Sequence, residues 1–429
     1  MSLIGRLVDK LLSRGSITLI TPNGRESLGP GGGSHLTIRF ADNRVGFDIV
    51  RNPRLGLGEA YMDKRLVVED GTILDLMELI TGQNRWEDSA VTRNLFGKGR
   101  LGQIRRLFQR NKPRRAKRNV AHHYDLSDEL YDAFLDADRQ YSCAYFTDPR
   151  NSLEQAQEDK KAHIAAKLYL KPGQTVLDIG CGWGGMALYL NKVAGVDVLG
   201  ITLSEEQLKV ARRRAAEAGV SDHVKFELID YRHLNGQFDR IVSVGMFEHV
   251  GLAHYDEFFA KCRELLKPDG VMLLHTIGKF GGGNKAPDPF TDKYIFPGYH
   301  LPSISQMCEA SQRVRLIASD IEVLRLHYAY TLREWLKRFT AARDQMVKLY
   351  DERFFRMWEF YLAGGIVMFE SGSGCNFQVQ YIRERTALPI TRDYMLETER
   401  RYREAGAAVP TAKKPRNAGR NKALEPTDA

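Results

Sequence analysis

Residues 176–185 read V-L-D-I-G-C-G-W-G-G, an apolar strand running into a glycine-rich turn, with an acid, Asp178, two positions before the first glycine. Glycine adopts the left-handed backbone such a turn needs and puts no side chain between backbone and ligand. The pattern therefore predicts the first strand-to-helix turn of a doubly wound α/β sheet. Gly180, Gly182 and Gly185 also satisfy G-x-G-x-x-G, the dinucleotide fingerprint, which alone is a weak signal. Asp178 separates the alternatives. A carboxylate there would repel a pyrophosphate, whereas S-adenosylmethionine has no phosphate and carries an ammonium and a sulfonium. The electrostatics favour S-adenosylmethionine and disfavour a nicotinamide enzyme.

Downstream, apolar runs at 175–179, 196–201, 224–229, 240–244 and 271–276 alternate with helical patterns, notably 204–218 and 255–266. This predicts an α/β fold with a doubly wound, mainly parallel sheet. Ligands of such sheets bind beyond the carboxyl ends of the strands, which directs attention to Asp178–Gly185, Thr202–Gln207, Asp230–Arg232, Glu248 and His275. Upstream, Leu3, Ile4, Leu7, Val8, Leu11 and Leu12 recur at helical spacing opposite Arg6, Lys10 and Arg14. Such a helix can lie on a membrane or pack on its own domain. Leu36, Ile38 and Phe40, then Val45, Phe47 and Ile49, alternate as in a hairpin. The expected organisation is a small α+β accessory domain at 1–96, a linker at 97–119, the catalytic domain at 120–396 and a basic, disordered tail at 397–429.

The formal charge of +9 is unevenly distributed. Ten basic residues and no acid lie between Gly97 and Arg118, and five more basic residues lie between Thr411 and Lys422, so the rest of the chain is mildly acidic. Such runs attract polyanions, and an anionic lipid surface offers about 1 kcal/mol per nearby Lys or Arg before screening. A solvated linker or an RNA-binding arm would carry the same charge. The five cysteines are widely spaced and form no C-x-x-C pair, which fits neither a disulfide framework nor a zinc site and suits a reducing cytoplasm. With no apolar run of about 18 residues and no signal-peptide core, the expected location is cytoplasmic, peripheral on the inner face of the cell membrane.

Several further segments go beyond general methyltransferase features: A-H-H-Y-D-L-S (121–127), Y-S-C-A-Y-F (141–146), G-I-T-L-S-E-E-Q (200–207), S-V-G-M-F-E-H-V-G (243–251), L-H-T-I-G (274–278), K-Y-I-F-P-G (293–298) and H-Y-A-Y-T-L (327–332). With the glycine-rich turn, they make the chain resemble the S-adenosylmethionine-dependent cyclopropane fatty acid synthases and their mycolic acid relatives. The long N-terminal extension resembles the bacterial phospholipid-modifying members. The resemblance implies a class I methyltransferase-like fold and transfer of a methylene group to the cis double bond of an unsaturated phospholipid acyl chain, or a related product with a methyl or methylidene branch. It also implies a membrane phospholipid substrate and no nucleic acid partner, and a homodimer is compatible with it.

That chemistry generates a carbocation in a pocket that must exclude water, and closing the ring needs a base to take a proton from the new methyl group. In the family the base is bound bicarbonate, and the residues holding it map onto Cys143, Glu248, His275, Ile277 and Tyr328. Backbone N–H groups of Cys143 and Ile277 suit an anion, as do the donors of His275 and Tyr328. Glu248 fits if it accepts a proton from bicarbonate or orients His275. Tyr330 competes with Tyr328 for its role. For the cofactor, the resemblance implies Tyr141, Ser142, Asp178, Gly180 and Gly182 at the methionine end. Thr202, Leu203, Ser204 and Gln207 line the ribose side, with Glu205 a substitute for the usual ribose carboxylate, and Tyr231 and Arg232 lie by the adenine. Phe290, Tyr294, Phe296 and Tyr299 form an aromatic segment suited to a cation or an acyl chain, or to packing alone. The apolar run 354–369 reads mostly as core.

Overall fold

The computed structural model describes residues 2–82, 85–88, 127–281 and 287–407. The basic run of 97–119, the charged segment 411–422 and all but the last residue of the 121–127 motif lie outside the described residues.

The N-terminal unit comprises α1 (Leu3–Leu11), β1 (Gly15–Thr21), β2 (Gly24–Gly31), β3 (His35–Phe40), α2 (Arg44–Arg51), α3 (Pro53–Met62), β4 (Leu66–Val68) and α4 (Ile73–Thr81), with sheet order β2-β1-β3-β4. The expected hairpin of 36–49 does not form. Leu36, Ile38 and Phe40 belong to β3, which runs parallel to β1, while Val45, Phe47 and Ile49 lie on helix α2. Val45 and Ile49 are also i,i+4, so both can face the core from one helix side, and they are buried while Phe47 is exposed. The true hairpin lies upstream, between β1 and β2. The amphipathic opening helix forms and packs on its own domain, with Ile4, Leu11 and the following Leu12 buried.

The second unit is built on a seven-stranded sheet. Its elements are α5 (Asp128–Phe134), α6 (Leu153–Lys167), β5 (Thr175–Ile179), α7 (Gly185–Ala194), β6 (Asp197–Thr202), α8 (Glu205–Glu217), β7 (Val224–Leu228), β8 (Phe238–Val244), α9 (Tyr255–Leu265), β9 (Leu266–Lys279), α10 (Pro289–Tyr294), α11 (Ile304–Arg313), β10 (Ile317–Leu324), α12 (His327–Ala341), α13 (Arg343–Leu349), α14 (Glu352–Glu370), β11 (Gly374–Ile382) and α15 (Asp393–Ala407). The order is β10-β11-β9-β8-β5-β6-β7, with β11 antiparallel to both its neighbours and the remaining pairs parallel. Chain order reverses beside β5, where β6 lies to one side and β8 to the other, and a doubly wound sheet opens its ligand crevice at such a switch point. Helix α15 corrects the expected tail. Residues 397–407 continue a helix that buries Tyr402 and Glu399, so a boundary at 396 would cut through it.

The two units share one apolar core. Gly58 on α3 must lack a side chain, because a Cβ there would sit 2.3 Å from the Phe290 ring. Tyr61 donates to Glu359 on α14 at 2.5 Å, Arg356 lies over the Tyr61 ring at 4.0 Å, and Arg333 bridges Glu78 on α4 to Glu370.

Candidate active site

Beyond the carboxyl ends of β5, β6 and β8 lies a cleft lined by Arg139–Ser142, Asp178–Trp183, Thr202, Leu203, Gln207, Asp230–Arg232, Met246 and His249, among others. Asp178 sits at its floor, 2% exposed, and Oδ2 has no hydrogen-bond partner among the described residues. Burial alone pushes its carboxyl up to about 7. The turn that follows has φ of 84° at Gly180, where a Cβ would come within 2.8 Å of the Met246 side chain. An orphaned buried carboxylate below a turn whose backbone can be approached closely fits a ligand that brings a cation and no phosphate.

The second wall is fixed by internal bonds. Thr202 Oγ1 donates to Gln207 Oε1 at 3.0 Å and accepts from Ser204 N–H, while Ser204 Oγ accepts the Gln207 N–H as the N-cap of α8. Thr202, Leu203 and Gln207 reach the cleft. Ser204, expected to touch the cofactor, instead shapes the helix start, and the exposed Glu205 does not line the cleft. Arg232 is ion-paired to Asp230 at 2.6 Å, and the Tyr231 ring meets Phe258 edge-on, so both Tyr231 and Arg232 are held at the rim.

The third wall, Arg139–Ser142, is clamped from behind by α6. Gln157 donates to the carbonyls of Gln140 and Ser142, both at 3.1 Å, and the buried Lys160 ammonium donates to Gln140 Oε1 at 2.6 Å and Ser142 Oγ at 2.8 Å. Lys161 holds Asp138, whose carboxyl stays well below the usual range, because Lys161 and Arg214 outweigh the burial that opposes ionisation. These clamps were not expected from the sequence. The segment L-E-Q-A-Q-E-D-K-K-A-H-I-A-A-K is rich in charged and polar residues, yet Gln157, Lys160, Lys161, His163 and Lys167 are all buried. Its one available signal was the lack of a consistent apolar face.

The five proposed anion residues do not line this cleft and fall into three groups. Glu248, 5% exposed on the turn after β8, accepts the Ile277 N–H at 2.6 Å through Oε1, and its Oε2 has no partner among the described residues. Burial pushes Glu248 up to about 7, against the opposing hydrogen bonds. His275 instead meets Gln378 and Asn376 of β11, so Glu248 does not orient His275, and the Ile277 N–H expected to face an anion is engaged by Glu248. Cys143 is buried with a thiol pushed well up by burial, beside Thr331, and Tyr328 one turn earlier on α12 packs against Trp335 and Phe369. Tyr328 is buried and Tyr330 is only partly so, its ring against Phe146.

Aromatic side chains bridge the cleft. Tyr141 and Tyr361 bring their hydroxyls within 3.5 Å, Tyr361 meets Phe296 at 6.1 Å, and Phe296 meets His249 at 5.7 Å. Tyr141 and His249, the two ends of this chain of rings, both line the cleft. Of the other expected aromatics, Phe290 packs on Phe360 and Gly58, Tyr294 bonds Glu59, and Tyr299 bonds the Asp288 N–H. Burial pushes His249 down to about 4, so it faces the cleft as a neutral ring.

The sequence family described as mycolic acid cyclopropane synthetase matches residues 111–379. The chain is 39% identical to a cyclopropane-fatty-acyl-phospholipid synthase of Escherichia coli, over 83% of this chain and 87% of that one. It is 36% identical to the tuberculostearic acid methyltransferase UfaA1 of Mycobacterium tuberculosis, over 78% of this chain and 80% of the other. Among solved structures, mycolic acid cyclopropane synthase CmaA1 complexed with SAH and CTAB superposes with a TM-score of 0.59 at 35% identity, covering 62% of this chain and 97% of that one.

Proposed function

The chain belongs to the mycolic acid cyclopropane synthetase family and is an S-adenosylmethionine-dependent methyltransferase that modifies lipids; from that premise we propose that it forms cyclopropane rings on the unsaturated acyl chains of membrane phospholipids. The observation that carries this reading is the arc of rings from Tyr141 through Tyr361 and Phe296 to His249, which starts and ends at the cofactor cleft. The faces of the Tyr141, Tyr361 and Phe296 rings stabilise a cation, and the arc excludes water from an apolar chain.

Asp178, Gly180, Gly182, Thr202, Leu203, Gln207, Tyr231 and Arg232, with Tyr141 and Ser142, are the residues that would hold S-adenosylmethionine, which supplies an electrophilic methyl group. Methyl transfer would break the methyl–sulfur bond, its electron pair leaving on the sulfur of S-adenosylhomocysteine, while the electron pair of the double bond forms the new carbon–carbon bond and leaves a cation on the acyl chain. Loss of a proton from the new methyl closes the ring. In this reading bicarbonate would accept the proton, held by Cys143, Glu248, His275 and Tyr328, and by the Ile277 N–H once Glu248 releases it. Glu248 suits this role because its buried Oε2 lacks a partner and its raised pKa of about 7 lets it donate to an anion or accept from one. The same reading takes an anionic membrane surface as partner, engaged by the basic residues of 97–119 from the cytoplasmic side. Among the described residues, no helix is long and apolar enough to cross a membrane.

The test is to incubate the protein with labelled S-adenosylmethionine and unsaturated phospholipid vesicles. The expected product is a chain heavier by one CH2 whose NMR spectrum shows a cyclopropane ring. A methylidene branch has the same mass, so the NMR spectrum decides. The likeness to UfaA1 keeps a branched product as the second reading, and a branched chain would replace the ring-forming one.

A further inference from the structure

His275 lies opposite Gln378 in the β9–β11 ladder, and Asn376 lies opposite Ile277, which puts all four side chains on one face of the sheet. Gln378 is bonded at both ends. Its Oε1 accepts from Lys167 Nζ at 2.8 Å, and its Nε2 is 3.1 Å from His275 Nδ1. An ammonium can only donate, so Lys167 fixes which end of the amide faces it. The other end is then an NH2, which also can only donate, and His275 Nδ1 must receive it with a lone pair.

Lys167 is itself anchored. It pairs with Glu322, which also takes His163 Nε2 at 2.6 Å, and His163 Nδ1 meets Glu399 at 2.9 Å. Although burial opposes it, His163 and Lys167 hold the Glu322 carboxyl well below the usual range. Burial, reinforced by the charges of Lys160 and Lys167, keeps His275 far below the usual imidazole range, so the ring is neutral and carries one proton. Asn376 agrees with this assignment. Its Oδ1 is buried without a partner among the described residues, while its other amide atom lies 3.4 Å from His275 Nε2. Turning the amide oxygen toward Nε2–H gives both a partner.

We propose that Lys167 and Gln378 are positioning residues that lock His275 as the Nε2–H tautomer, so that in the reaction His275 exchanges its long Asn376 contact for a hydrogen bond donated to the bound anion and never acts as the base that removes the ring-closing proton. The tautomer follows from the hydrogen bonds alone. The donor role rests on the function proposed above.

The test uses full-length protein labelled with 15N-histidine, in which the signals of His275 among the eleven histidines are identified by their loss in His275→Gln. The expected wild-type spectrum shows Nδ1 unprotonated and Nε2 protonated. Gln378→Glu replaces the donor by an acceptor and should move the proton to Nδ1. Lys167→Met frees the amide to turn and should give a mixture of tautomers. Turnover of Gln378→Glu should fall by about a hundredfold at unchanged cofactor affinity. A wild-type ring already protonated on Nδ1, or a tautomer indifferent to both substitutions, overturns the lock. An inverted ring with normal turnover overturns the donor role, while the ring-forming reading, tested on wild-type product, stands or falls separately.

Discussion

Asp178 is a buried acid whose ionisation the free protein opposes, so cofactor binding and proton release must be coupled. Its carboxyl titrates near 7 because burial penalises the charge and no neighbouring group relieves it. A bound ammonium relieves it, and the complex then favours the ionised form. The sign follows: below pH 7 the free protein holds a proton that binding must expel, so affinity falls as pH falls. Each pH unit below 7 should weaken S-adenosylmethionine binding about tenfold, or about 1.4 kcal/mol. Calorimetry in two buffers of different ionisation enthalpy measures the proton directly: about half a proton released at pH 7, approaching one at pH 5. Glu248 also titrates near 7, which is why Asp178→Asn is the necessary control. That variant keeps the shape and loses the charge, so it should bind more weakly at pH 7, by about 1.5 to 3 kcal/mol, with a flat profile from pH 7 to 5. A flat wild-type profile, or an equal slope in Asp178→Asn, would refute the coupling.

Three further outcomes are expected. Glu248→Gln should damage turnover far more than cofactor affinity, since Glu248 does not line the cleft, and bicarbonate depletion should slow the wild type but add little to the variant; turnover in carbonate-free buffer before and after bicarbonate addition decides this. Lys160, pushed down to about 8 mainly by burial, binds its proton less tightly folded than unfolded. Its full penalty of about 3 kcal/mol applies below pH 8 and is relieved as pH rises toward 10.5, so urea melts of the wild type should gain stability across that window relative to Lys160→Met, and equal slopes would remove the assignment. Neutralising Arg105, Arg106, Arg114 and Arg115 together should weaken binding to anionic vesicles and flatten its salt dependence, with less effect on a detergent-dispersed lipid. Unchanged vesicle binding would reduce the run to a solvated linker.

What the sequence made legible was what a short, local pattern can encode. Asp178 and its glycines are contiguous, so strand, turn and helix start could be read together, and the parallel strands announced themselves as apolar runs of the right length. What it left illegible depended on partners distant in the chain. Val45, Phe47 and Ile49 fit a strand alternation and a helical i,i+4 pair equally well, and only packing against α1 and α3 decides for α2. Helix α6 looks solvated because its lysines and glutamines meet their acceptors, the Gln140 and Ser142 side chains and the carbonyls beside them, only after folding. The same reason separates the parts of the site. Cys143, Glu248, His275, Ile277 and Tyr328 were selected by family pattern. Glu248 meets the Ile277 N–H across β8 and β9, and what His275 meets depends on β11, whose Asn376 and Gln378 carried no motif. A strand buried along its whole length and still holding Asn376, Gln378 and Gln380 must satisfy each amide internally. The cost of leaving any of them unpaired makes this strand the element that orients His275. The residues that chemistry selects are thus each marked by a local motif, and the residues that aim His275 are set by the sheet.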